Sequence, residues 1–117
     1  MKENLIQKKS YEFAINVINL YRNITATKKE FVLSKQFLRC GTSVGANVEE
    51  AIGGQSRKDF IAKLSIAYKE ARETRYWLSL LKDTKYITQG EFSITYDLCE
   101  EILRIIGKIQ KTLKNNS

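Results

Sequence analysis

The chain has 117 residues, with 20 lysines and arginines against 13 aspartates and glutamates, giving a formal charge of +7 and an isoelectric point near 9.5. That length bounds one domain with one core, and 43% apolar with 28% charged residues excludes a disordered chain. No apolar run approaches the ~20 residues of a membrane span, and Met1-Lys-Glu-Asn-Leu-Ile-Gln-Lys-Lys lacks the apolar centre of a signal peptide, so a cytoplasmic protein with no membrane partner is expected. The absence of histidine removes the commonest general base and zinc ligand. With no histidine for the Glu-x-x-His pairs of a di-iron bundle and no glycine-rich phosphate loop after a strand, no enzymatic activity, metal, cofactor or small-molecule substrate is expected. Cys40 and Cys99 stand at apolar helical positions and read as buried free thiols.

Proline is absent, so long helices are unobstructed. The first helix is expected over residues 3–25, with a seam of Ile6, Ser10, Phe13, Val17, Leu20 and Ile24 at alternating steps of three and four. The second is expected over 28–52, opened by the hydroxyl–carboxylate pair Thr27-Lys-Lys-Glu30, with a looser seam of Phe31, Leu38, Gly41, Gly45, Val48 and Ile52. Gly53-Gly54 ends it, glycine being the residue that tolerates a left-handed helix close. The third, over 57–83, starts at Ser56-Arg-Lys-Asp59 and lines up Phe60, Leu64, Ala67, Ala71, Thr74, Leu78 and Leu81. The fourth, over 89–114, starts at Thr88-Gln-Gly-Glu91 and lines up Phe92, Thr95, Cys99, Ile102, Ile106, Ile109 and Leu113. Short connections between long helices predict an all-α, antiparallel up-down-up-down four-helix bundle over residues 1–117.

Several helices carry apolar residues beyond one seam: Leu33, Phe37, Cys40, Val44 and Ala51 in the second, Ile61, Ile66, Tyr76, Trp77 and Leu80 in the third, Leu98, Leu103 and Ile105 in the fourth. A second stripe suggests a second contact, most simply another copy of the chain; a thick core with scattered exposed apolar residues is the alternative.

Residues 39–78 read Arg39…Ser43-Val44…Asn47-Val48-Glu49-Glu50-Ala51…Phe60…Leu64-Ser65-Ile66-Ala67…Glu73…Leu78. This succession resembles the bacterial four-helix bundle family named after proteins encoded in 23S ribosomal RNA intervening sequences. That family shows an Arg, then Ser-Ile, then Asn-Ile-Ala-Glu-Gly, then a Phe and a Leu-Ser-Ile-Ala run with a Glu following. Tyr86-Ile87 before the fourth helix extends the resemblance over nearly the whole chain; Ala51 departs from a frequent glycine and Lys69 from a small residue. The resemblance implies a protomer that assembles into a ring, typically a homopentamer. It also implies kinship with the accessory bundle proteins of diversity-generating retroelements, basic partners of a reverse transcriptase and nucleic acid. It implies no biochemical activity.

Two sets of residues stand out as sites. Arg39, Ser43, Asn47 and Glu50 share one helical stripe, flanked by Gly41, Gly45 and Ala46, which allow close backbone approach. They read as a polar network, joined by Glu73, that fixes the register of helices or subunits, with a surface binding site as the alternative. The other set is basic: residues 55–86 carry eight bases against four acids and so hold most of the excess charge. Lys69, Arg72 and Arg75 lie beside Tyr68, Tyr76 and Trp77, and Arg57 and Lys58 open the same helix. Bases beside aromatics suit phosphates and stacked nucleobases, so RNA, DNA or a nucleoprotein is the expected partner beside the chain itself. The alternatives are a solvated face with Glu70 and Glu73 pairing locally, and an oligomer that binds only protein. Arg104, Lys108, Lys111 and Lys114 follow acids on the fourth helix and read as a dipole-matched helix. Glu49 and Glu50 end one helix where Arg57 and Lys58 begin the next, and are expected to meet across the Gly53-Gly54 turn or a subunit boundary.

Overall fold

The computed structural model describes residues 4–115. They form α1 (Leu5–Lys28), α2 (Leu33–Ile52), α3 (Arg57–Asp83) and α4 (Gln89–Asn115), with no strand among the described residues. Each helix packs against its neighbours in the chain and α1 closes against α4, while α1–α3 and α2–α4 make no close approach. The result is a four-sided body of 47 × 23 × 21 Å. None of its helices is long and apolar enough to cross a membrane.

The helix starts follow local hydrogen bonding. Asn4 accepts the Gln7 N–H at 3.1 Å and opens α1. Thr88 and Glu91 satisfy each other's backbone N–H at 2.8 and 3.1 Å, a complete capping box. Ser56 accepts from Asp59 N–H at 3.0 Å. The expected start of the second helix at 28 is corrected. Thr27 turns its hydroxyl back onto the Asn23 carbonyl at 2.7 Å and so belongs to α1, which runs on to Lys28 and stops where Lys29 takes the left-handed φ of 55°. Glu30 caps alone: its carboxylate accepts from the N–H groups of Val32, Leu33 and Ser34 at 2.9, 2.9 and 2.8 Å, and α2 begins at Leu33.

Gly53-Gly54 ends α2 as expected, but without the left-handed conformation. Gly53 closes α2 at φ −82°, and no described glycine is left-handed; the left-handed residues are Lys29 and Lys85. Gly54 is needed for space, since a Cβ there would meet Asp59 Oδ2 at 2.7 Å and the Ala51 carbonyl at 3.1 Å.

The seams of α1, α3 and α4 lie inside. All six expected α1 positions are buried, as are Leu64, Ala67, Ala71, Thr74, Leu78 and Leu81 on α3, with Phe60 half-buried. On α4, Thr95, Cys99, Ile102 and Ile106 are buried, Leu103 joins them, and Phe92, Ile109 and Leu113 stay half-buried. The α2 seam differs from expectation. Its buried face is Ser34, Phe37, Cys40, Gly41, Val44, Val48 and Ala51, while Phe31 is exposed outside the helix and Ile52 is 39% exposed. Much of the stripe expected to be a second contact is therefore the core itself. The small residues serve α1: a Cβ at Gly41 would stand 2.7 Å from Val17 Cγ1, and one at Gly45 3.3 Å from the Ser10 carbonyl.

Candidate interaction surface

The polar stripe of α2 meets α3 at both ends. Arg39 Nη2 lies 3.3 Å from Glu73 Oε2, and Glu50 pairs with Lys63 at 2.9 Å. Between them, Asn47 donates to the Ser43 carbonyl at 2.9 Å, one turn back on its own helix. Two solvent-exposed ion pairs thus bracket a stretch of α2 in whose middle Asn47 bonds within its own helix.

Glu73 is the densest point of this face. It accepts from the Trp77 indole at 3.2 Å as well as from Arg39. A thiol hydrogen bond from Cys40, the Trp77 N–H and the Arg39 charge hold its carboxyl below the usual carboxylate range. Burial, reinforced by Glu73, pushes the Cys40 thiol up to about 12. Glu70 stands beside them with a buried Oε1 that has no hydrogen-bond partner among the described residues. Donor atoms of Cys40, Glu70 and Glu73 come within 4.8 Å of one another, and Arg39 Nη2 lies 3.6 Å from the thiol sulfur. A thiol held protonated is a poor nucleophile, and Cys99, pushed to about 12 by burial and donating to the Ala71 carbonyl at 3.2 Å, is no better. Both cysteines are free and buried.

The basic residues separate into three places. Arg72 and Arg75 line a depression of about 310 Å³ with Tyr76, Ser79 and Tyr96. Arg75 is ion-paired with Glu100 of α4, whereas Arg72 is exposed and Tyr76 is 58% exposed, set edge-on against Trp77 with ring centroids 5.2 Å apart. Lys69 is exposed on the Glu73 side of the helix, where its charge helps to lower that carboxyl. Arg57 and Lys58 lie far from both, about 22 Å from Arg72 along α3 at 1.5 Å per residue. Arg57 donates to the Leu113 carbonyl at 2.9 Å, at the negative end of the α4 dipole. Within the chain, Glu50 therefore meets Lys63 rather than Arg57, and Glu49 accepts from Gln7 at 2.8 Å.

Sequence reasoning missed Cys40, Glu70 and Trp77 as members of the α2–α3 cluster. Their signal was available in part, because Glu70, Glu73 and Trp77 are spaced three and four apart. Glu100 and Tyr96 had none, since only the α3–α4 register brings them to Arg72 and Arg75.

These features define a class: an all-helical bundle with an ion-paired α2–α3 face and a cationic, aromatic α3–α4 edge. A family model described as 23S rRNA-intervening sequence protein matches residues 2–108, and the chain belongs to that family. The chain is also similar to the crystal structure of a protein of unknown function from the S23 ribosomal protein family of Bacteroides thetaiotaomicron VPI-5482. The two are 50% identical, the match covers 91% of this chain and 98% of that one, and the TM-score is 0.89. No curated protein matches the chain.

Proposed function

We propose that this protein is a non-enzymatic, cytoplasmic bundle that assembles with copies of itself and engages nucleic acid or a nucleoprotein through the cationic edge of α3. The observation that carries this reading is the exposed Arg72 beside the exposed ring of Tyr76 at the depression shared with Arg75 and Tyr96. A guanidinium can grip a phosphate with two hydrogen bonds while a tyrosine face takes a base. Arg75 is committed to Glu100 and contributes charge rather than a free hand; Lys69 adds a second exposed cation.

The antiparallel up-down-up-down course is supported by contacts joining the start of one helix to the end of another: Gln7 with Glu49, Asn23 with Glu91, Arg57 with the Leu113 carbonyl. Assembly into a ring, a homopentamer by the family resemblance, is supported by exposed Tyr11 and Ile15 on α1 and Ile94 on α4, at 69%, 46% and 61%. Those apolar side chains equally suit the alternative, an oligomer that contacts protein alone.

The separating experiment titrates 23S rRNA fragments, unrelated structured RNA and duplex DNA against the protein at several salt concentrations. The expected result is binding that weakens steeply with salt, with a slope reduced by about one per lost phosphate contact in Lys69→Ala/Arg72→Ala. No binding at low salt would leave the protein-only oligomer.

A further inference from the structure

Histidine is absent from the chain, so a transition-metal site here has to be built from sulfur and oxygen. The α2–α3 interface assembles such a set. Cys40 of α2 faces Glu70 and Glu73 of α3, and one donor atom from each residue lies within 4.8 Å of the other two. Glu70 and Glu73 stand three residues apart on one helical face. The spacing along α3 and the register of α2 against it thus bring three ligand side chains to one point.

The surroundings of this set point to a cation. Glu70 Oε1 is buried, and no hydrogen bond from the described residues reaches it. A buried carboxylate oxygen left in that state is costly, and native proteins retain few. The nearby cations, Arg39 and Lys69, serve Glu73 and leave that oxygen unmet. Glu73 is instead oriented from outside, because the Trp77 indole N–H at 3.2 Å and Arg39 Nη2 at 3.3 Å both donate to its Oε2. Metal-ligating side chains are held in this way, by hydrogen bonds from residues that do not touch the ion. The charges also close. Arg39 neutralises Glu73, so a Cys40 thiolate and the Glu70 carboxylate leave two negative charges for one divalent ion.

The donor chemistry selects the ion. Magnesium and calcium take oxygen ligands, whereas zinc accepts thiolate sulfur and carboxylate oxygen together. Zinc holds sulfur at about 2.3 Å and oxygen at about 2.0–2.2 Å, so closing the present set takes a movement of about 1 Å. Two glutamate side chains supply that swing. Entry is from the Glu73 side, where that side chain is 37% exposed, while Cys40 is fully buried.

We propose that Cys40, Glu70 and Glu73 bind one zinc ion, with water as the fourth ligand, and that the ion fastens α2 to α3. On binding, the Cys40 thiol releases its proton to solvent and its sulfur bonds to zinc in that proton's place. A site assembled only by the folded bundle stabilises the fold when it is filled.

The test adds cobalt(II), and then zinc, to the chelator-treated full chain. The expected result is one cobalt per chain with a sulfur-to-cobalt charge-transfer band in the near ultraviolet, abolished by zinc and untouched by magnesium. Zinc at about 100 times its Kd raises the melting temperature by about 5–10 °C. Cys40→Ser removes the band and Cys99→Ser keeps it. Glu70→Gln weakens cobalt binding by about 10-fold or more at unchanged helix content, and decides the matter if Cys40→Ser does not fold. The proposal is overturned if cobalt gives no band, if the band survives in folded Cys40→Ser or vanishes in folded Cys99→Ser, or if Glu70→Gln binds cobalt as tightly as the wild type.

Discussion

Glu30 and Glu73 are the carboxylates whose surroundings favour the charged state. At Glu30, burial alone would raise the carboxyl, but the N–H groups of Leu33, Ser34 and Val32, together with the Ser34 hydroxyl, outweigh it and hold it below its ordinary 4.5. A folded-state value below the unfolded one contributes stability that is present above about pH 4.5 and lost as pH falls through the folded value. Glu30→Gln is accordingly expected to cost about 1 kcal/mol at neutral pH, the scale of a lost cap, and to flatten the acid limb of stability. Urea melts of both proteins from pH 3 to 7 check this; parallel curves would refute it. The cysteines make a second residue-scale expectation. Both thiols are buried and pushed to about 12, so a thiol reagent at pH 8 should label neither until the bundle opens. Labelling that tracks unfolding rather than reagent concentration is the expected signature.

At the scale of elements, α2 is where pattern and packing diverge. Thr27-Lys-Lys-Glu30 has the spacing of a capping box, yet Thr27 bonds backwards and Glu30 caps forwards, because α1 extends far enough to claim the threonine. Thr27→Ala should therefore change stability by less than about 0.5 kcal/mol, while Thr88→Ala, which breaks a real box, should cost about 1 kcal/mol. Thermal melts of the pair give a direct comparison, and equal effects would contradict the assignment. The α2 seam was hard to read because two apolar rows compete on that helix, one through Leu38 and Ile52 and one through Phe37, Val44 and Ala51, and the close approach of α1 at Gly41 and Gly45 goes with the second. Gly41→Val drives a methyl against Val17, whose Cγ atoms are 2.7 and 2.8 Å from the ideal Cβ, and should destabilise by about 1–3 kcal/mol. The other three seams were legible because one row at steps of three and four dominates each helix, interrupted only by the small polar Ser10, Thr74 and Thr95.

For the whole molecule, the surface matters more than the core. Tyr11, Ile15 and Ile94 remain exposed although the bundle buries its four seams, which leaves apolar area for a contact between copies. Light scattering after gel filtration should give a multiple of 13.5 kDa, reduced in Ile15→Asp/Ile94→Asp. A wild-type monomer at micromolar concentration would remove the ring from the reading. The charge of +7 does not spread evenly. Of the basic residues on α3, Arg75 is matched to Glu100, Lys63 to Glu50 and Lys82 to Asp83, and Arg57 donates to the Leu113 carbonyl, so Lys58, Lys69 and Arg72 carry the exposed charge that no salt bridge among the described residues matches.

Apolar spacing, the absence of proline and the Ser56 and Thr88 caps suffice, from the chain alone, to determine the four helices and the inward faces of α1, α3 and α4, because these depend on interactions within three or four residues. The Arg39-to-Glu73 motif pointed to the family by the same local reading. Which charges meet was decided only by the tertiary structure. Arg39 finds Glu73, Arg57 finds the end of α4, and Arg75 finds Glu100 across 34, 56 and 25 residues of chain. Pairs that distant are determined by helix register and rotation, and these follow from how Gly41 admits Val17 and how four seams interlock rather than from any one segment.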